Sequence, residues 1–164
     1  MINNRFRFLV ILLSIPVIAF ILTLPVVHVS GTAKMSPVPV PTPVTDPLYS
    51  AYRAIAIGMT TDETRAKLGS PKEKADDQDF FQFSDHETSQ VYYDAAHKVI
   101  AITVTYSGKL DAAPTAKAVF GEDVAAKPDG GIFKMVRYPK AGFWISYNKT
   151  GGNDPLIMIA IQKM

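Results

Sequence analysis

Two kinds of apolar pattern divide the chain. Residues 8–27, FLVILLSIPVIAFILTLPVV, form one run of twenty positions without a charge. Beyond Leu48 the apolar positions come instead in short stretches, separated by polar and glycine-containing turns. The continuous run matches the roughly 20 residues with which a helix crosses a hydrocarbon core about 30 Å thick. Short alternating stretches are the mark of strands with one buried face.

Three such stretches come in succession: DFFQFSD (Asp79–Asp85), TSQVYYDA (Thr88–Ala95) and KVIAITVTY (Lys98–Tyr106). All are rich in aromatic and β-branched residues, the composition of strands. Ser84-Asp85-His86-Glu87 and Ala95-Ala96-His97 read as hairpin connections. In the third stretch Ile100, Ile102, Val104 and Tyr106 alternate with Val99, Ala101, Thr103 and Thr105. A period of two puts the bulkier set on one face.

A second trio comprises Gly131–Pro139, Gly142–Asn148 and Pro155–Gln162, with turns at Pro139–Gly142 and Thr150–Asn153. A short helix precedes each trio. Thr60 or Thr61 can cap the first, with Asp62 and Glu63 in its first turn, where the helix dipole favours acid. Gly69 ends it and Pro71 prevents its resumption. Met59, Ala66 and Leu68 are expected on its buried side. The second helix is expected over Pro114–Phe120 and stops at Gly121. The order helix, strand, strand, strand thus occurs twice. It predicts an α+β fold, with short helices packed on antiparallel sheet. Two halves, residues 48–108 and 109–164, would share or abut sheets, with helices covering one face.

Charge sets the orientation of the apolar run. Arg5 and Arg7 precede it, and no acidic residue occurs before Asp46. The positive-inside bias keeps residues 1–7 in the cytoplasm and exports the chain beyond Val27. The length favours an uncleaved signal-anchor in the inner membrane, with the domain in the periplasm or outside. The alternative is a signal peptide cut near Gly31-Thr32-Ala33, which gives a periplasmic or secreted protein. Residues 28–47 form a linker, and its SPVPVPTPVTDP segment holds five prolines in twelve residues. Such a segment favours polyproline II and acts as a semi-rigid spacer.

The chain has no cysteine, so the exported domain must be stable without disulfides, and thiol catalysis and cysteine-based zinc sites are excluded. Of 17 basic and 15 acidic residues, Arg5 and Arg7 lie before the run, leaving 15 of each sign. That balance argues against nucleic-acid binding, which needs a basic excess.

The stretch IAIGMTTDETRAKLGSP, followed by FFQF and VYYDAAHKVIAITV, resembles the SmpA/OmlA (BamE-like) family of small outer-membrane proteins. The shared pattern covers Tyr52 to Tyr106. The repeated element order is similar to the β-lactamase inhibitor protein fold, which contains two tandem copies of such a unit. The resemblance implies a domain that works by contact rather than chemistry, an accessory factor in cell-envelope assembly or maintenance. The alternative it implies is an enzyme inhibitor or small-ligand binder of the β-lactamase inhibitor type. The outer-membrane members carry a lipid on a cysteine. This chain has none, which favours an inner-membrane anchor or a secreted form.

Candidate chemistry is sparse. Asp85, His86, Glu87, Asp94 and His97 gather at two expected hairpin turns, where a metal or acid–base role competes with ordinary solvated turn residues. A hydrolase using His86 or His97 is one reading. His28 lies at the membrane edge and partners neither. No Gly-x-Ser-x-Gly motif or phosphate-cradling loop is present, and Asn148-Lys149-Thr150 matches a glycosylation sequon. The expectation is therefore a non-enzymatic, membrane-tethered protein-interaction module without cofactor or metal, binding a protein partner of the cell envelope. Adjacent aromatics on a strand must point to opposite faces, so Tyr92, Tyr93, Phe143 and Trp144, with Asp85 and His86 at a hairpin tip, form the candidate binding surface.

Overall fold

The computed structural model describes residues 46–164. The expected membrane run over 8–27, the Gly31-Thr32-Ala33 cleavage site, His28 and most of the proline spacer lie outside them. Among the described residues no helix is long and apolar enough to cross a membrane.

The elements are α1 (Thr61–Leu68), β1 (Glu73–Lys74), β2 (Gln78–Gln82), β3 (Glu87–Tyr93), β4 (Val99–Tyr106), α2 (Ala116–Phe120), β5 (Ile132–Tyr138), β6 (Phe143–Lys149) and β7 (Ile157–Lys163). They make an α+β fold with one seven-stranded sheet, in the order β1-β2-β3-β4-β7-β6-β5. Every neighbouring pair is antiparallel. Sequence periodicity predicts six of the strands; the seventh, β1, is two charged residues too short to show a period. The trios meet through β4 and β7, so they continue a single sheet.

Helix α1 is fixed by polar contacts more than by apolar burial. The Thr60 hydroxyl accepts the Glu63 N–H at 3.2 Å, and the Glu63 carboxylate accepts the Thr60 N–H at 2.8 Å. This reciprocal cap contributes about 1 kcal/mol. Gly69 closes the helix at φ 85°, a conformation that costs glycine little. The expected buried side is corrected: Ala66 is exposed, Met59 and Leu68 are only half-buried, and Thr61 and Thr64 face the sheet. The Thr61 N–H donates to the His97 carbonyl at 3.0 Å, and Arg65 pairs with Asp79. Eight residues cannot hold a helix alone, and these ties replace the missing apolar stripe. Helix α2 starts at Ala116 rather than Pro114, because Thr115 is its cap, and buries Ala116, Val119 and Phe120.

The core lies on one face of the sheet. Phe81, Val91, Ile102, Ile145, Ile159 and Ile161 are at most 2% exposed, and burying side chains of this size contributes about 1.5–3 kcal/mol each. Both helices sit on this face: Arg65 of α1 reaches Asp79, and Lys134 stands over the ring of Phe120 in α2. Strict alternation along β4 fails at one point. Tyr92 pairs with Ala101 but Tyr93 with Val99, leaving Ile100 unpaired in a β-bulge. The extra residue returns Val99 to the buried face of Ile102, Val104 and Tyr106 and leaves Ile100 unpaired and only half-buried, so Val99 rather than Ile100 joins the core.

Candidate functional site: the open face of the sheet

The face opposite the helices is built by three cross-strand ladders. The first runs Gln78, Tyr92, Ala101, Gln162, Trp144, Arg137. The second runs Phe80, Gln90, Thr103, Ala160, Ser146, Met135. The third runs Gln82, Thr88, Thr105, Met158, Asn148, Phe133. Phe133, Met135 and Met158 are well exposed. Tyr92, Trp144 and Phe80 are half-buried by their neighbours but open on their outer side.

Size varies across this face. Its centre carries Ala101, Thr103 and Thr105 on β4, with Gln162, Ala160 and Met158 beside them on β7. Aromatic residues flank it, Phe80 and Tyr92 on one side and Trp144 and Phe133 on the other. Tyr92 and Trp144 belong to the same ladder, three strand spacings or about 14 Å apart. Beside Phe80 lies a depression of about 250 Å³ lined by Glu73, Lys74, Ala75, Gln78, Phe80 and Gln90. In it the Gln90 amide donates to the Gln78 carbonyl oxygen at 3.2 Å.

The candidate surface residues separate. Tyr92 and Trp144 lie on the open face. Tyr93 and Phe143 do not: both are buried on the helix face, at 3% and 8% exposure. Tyr93 donates to the Asp79 carboxylate at 2.8 Å, and burial pushes its phenol above the ordinary range, with Asp79 adding to the effect. The Phe143 ring packs 6.1 Å from that of Tyr138. Strand alternation forces this split, because only one member of each adjacent pair can share a face. Phe80, Gln78, Gln90, Phe133 and Met135 complete the surface. Their parity relative to Tyr92 and Trp144 was the available signal, and it needs the strand register to be read.

Asp85 and His86 are exposed at the β2–β3 turn, where the His86 N–H donates to the Ser84 hydroxyl at 3.1 Å. His97 lies in the β3–β4 turn, at the other end of β3. The seven residues of β3 hold the two histidines on the order of 20 Å apart, so they do not form one centre. Among the described residues, no three histidine or acidic side chains gather as metal ligands do.

Next to the β2–β3 turn lies a tight ionic cluster. Arg53 donates to Glu87 at 2.8 Å, and the Tyr52 hydroxyl donates to Glu87 at 2.7 Å. The Arg53 guanidinium also stands 4.2 Å over the Phe83 ring, a cation–π contact. Burial opposes the Glu87 carboxylate, but the hydrogen bonds from Arg53 and Tyr52 prevail and hold its pKa below the ordinary value. Burial also pushes the nearby Tyr106 phenol up to about 12, with Glu87 adding to the effect. Arg53 and Ala54 both have positive φ, 45° and 63°, and the cluster holds this strained turn in place.

No family model matches the chain, and neither does any curated protein. Among solved structures the chain is similar to the crystal structure of a DUF4309 family protein (YjgB) from Bacillus subtilis. The two share 11% identity over 68% of this chain and 84% of that one, with a TM-score of 0.43.

Proposed function

We propose that the chain is a non-catalytic binding module of the cell envelope that works through the open face of its sheet. Residues 8–27 anchor it to the membrane, and the proline-rich segment holds the domain clear of the lipid. The observation that carries the reading is the one-sidedness of the fold. Both described helices lie on one face, and the other keeps Phe133 exposed and Phe80, Tyr92 and Trp144 partly so. Such residues anchor binding surfaces, since they combine large area with few rotatable bonds.

The halves are two copies of one unit, similar to the tandem arrangement of the β-lactamase inhibitor protein fold. In support, each third strand, β4 and β7, meets the other antiparallel at the centre. About that seam the order β2-β3-β4 is followed by β7-β6-β5, and both helices lie on one face.

Site-specific photo-crosslinking in cells tests the reading. A photoreactive residue at Thr103 on the open face should trap an envelope component, while one at Lys117 on α2 should not. Equal products from both positions, or products only from Lys117, would sink it. Release of the full chain from membranes by alkaline carbonate would remove the anchor from the proposal.

A further inference from the structure

We infer that the occupant of the open face is a neutral polysaccharide chain, lying across Ala101, Thr103 and Ala160 between Tyr92 and Trp144. The inference rests on the reading of this face as the binding surface and names its ligand class.

Charge is the first observation. One residue in five of the chain is charged, yet Arg137 is the only charged side chain in the three ladders between β2 and β5. A charged ligand would lose its hydration across the centre of the face, where no ladder residue is charged; the charges lie at its margins, on Arg137, Glu73 and Lys74. A neutral one meets no such penalty.

The polar inventory is the second. Gln78, Gln90, Gln162 and Asn148 supply amides, and Thr88, Thr103, Thr105 and Ser146 supply hydroxyls. Each of these groups both donates and accepts hydrogen bonds without ionising. That matches a sugar, whose hydroxyl and acetamido groups do the same.

The third is where the aromatics stand. A sugar ring has an apolar C–H face that stacks on an aromatic ring. Tyr92 and Trp144 bracket the low centre of the face, and Phe80 forms an apolar wall of the 250 Å³ depression beside the Gln78–Gln90 amide pair. A protein partner would place the apolar anchors at the centre, because serine, threonine and alanine are under-represented in interface cores and hot spots. Here alanine and threonine hold four of the six central positions, Ala101, Thr103, Thr105 and Ala160, with Gln162 and Met158 in the other two.

Trp144 is the single tryptophan of the chain, so its fluorescence reports on this face directly. The full chain, held in detergent micelles, should show a shifted Trp144 emission on titration with chitohexaose, a neutral N-acetylated hexasaccharide. Calorimetry should give the same affinity. Tyr92→Ala and Phe80→Ala should each weaken binding tenfold or more. Tyr92→Phe, which keeps the ring, should stay within threefold, and Lys117→Ala should match the parent. Cellohexaose, without acetamido groups, should bind more weakly than chitohexaose.

Absence of heat and of any emission change with both oligosaccharides overturns the inference. So does binding that survives Tyr92→Ala and Phe80→Ala, because the site is then elsewhere. If the oligosaccharides fail but an envelope protein fraction shifts Trp144 emission, the ligand class falls and the open-face reading stands. If neither shifts it, both fall.

Discussion

Arg65 grips Asp79 through two hydrogen bonds, each 2.8 Å long, and the carboxylate it holds has no exposure to solvent. The phenol of Tyr93 donates to the same carboxylate. One buried acid on β2 therefore fastens α1 to the sheet and orders a tyrosine on β3. Removing one partner of such a pair leaves an uncompensated buried charge, which costs about 3–5 kcal/mol. Arg65→Ala, which leaves the buried Asp79 unpaired, should lower the unfolding free energy by about that amount in urea denaturation, and Asp79→Ala by less, because Arg65 is partly exposed. The double variant Arg65→Met with Asp79→Leu should cost clearly less than the sum of the singles. Additive losses would show that the two residues act independently.

The adjacent aromatics of β6 should respond in opposite ways. Phe143 is buried in the core, and Phe143→Ala should cost about 3–5 kcal/mol through the cavity it leaves. Trp144 lies half-buried on the open face, and Trp144→Ala should cost about 1 kcal/mol. Equal losses in thermal or chemical unfolding would contradict the assignment of faces.

Acid should loosen the Arg53–Glu87 cluster. Glu87 titrates below its ordinary value of 4.5 in the folded state. A carboxylate whose pKa is lower folded than unfolded stabilises at pH values above the unfolded pKa. That stabilisation is lost as pH falls through the folded pKa. Glu63, hydrogen-bonded by the Thr60 backbone, and Asp94, hydrogen-bonded by the Lys98 backbone, are shifted the same way. Tm should be flat between about pH 7 and 6 and fall progressively below about pH 4.5. Glu87→Gln should have a lower Tm at pH 7, and its gap to the parent should close as pH falls through the lowered folded pKa of Glu87. A constant gap across that range would rule out Glu87 ionisation as the cause.

Ser89 offers a gain. It is 1% exposed, and its hydroxyl has no hydrogen-bond partner in the structure. A buried hydroxyl without a partner costs about 1–3 kcal/mol. Ser89→Ala should therefore leave the protein as stable or raise its stability by about 1 kcal/mol. A clear loss in urea midpoint would mean the hydroxyl is satisfied in solution.

The strands were legible wherever both a period of two and β-branched or aromatic composition marked them, as along β4 and β7. Thr60, Glu63 and Gly69 announced α1 because capping is local chemistry. Three features were hidden for physical reasons. β1 is too short to carry a period. The Ile100 bulge reverses Val99 without any sequence mark. The helix face of α1 is polar because Asp79, fourteen positions away, is its partner. The proposed binding surface was half visible for the same reason. Adjacent aromatic pairs show that one member must face outward, but only the pairing of Tyr92 with Ala101, and of Trp144 with Gln162, says which.

The position of β7 fixes the order in which the molecule can come into being. It is the last of the described strands, yet it lies at the middle of the sheet, with β4 on one side and β6 on the other. Until residues 157–163 have been synthesised, β4 and β6 both present raw edges, and Ile159 and Ile161 are missing from the core. Nascent chains shorter than this can form hairpins but no completed sheet. The sheet is thus completed only once β7 has been made, and until then neither trio of strands is locked to the other.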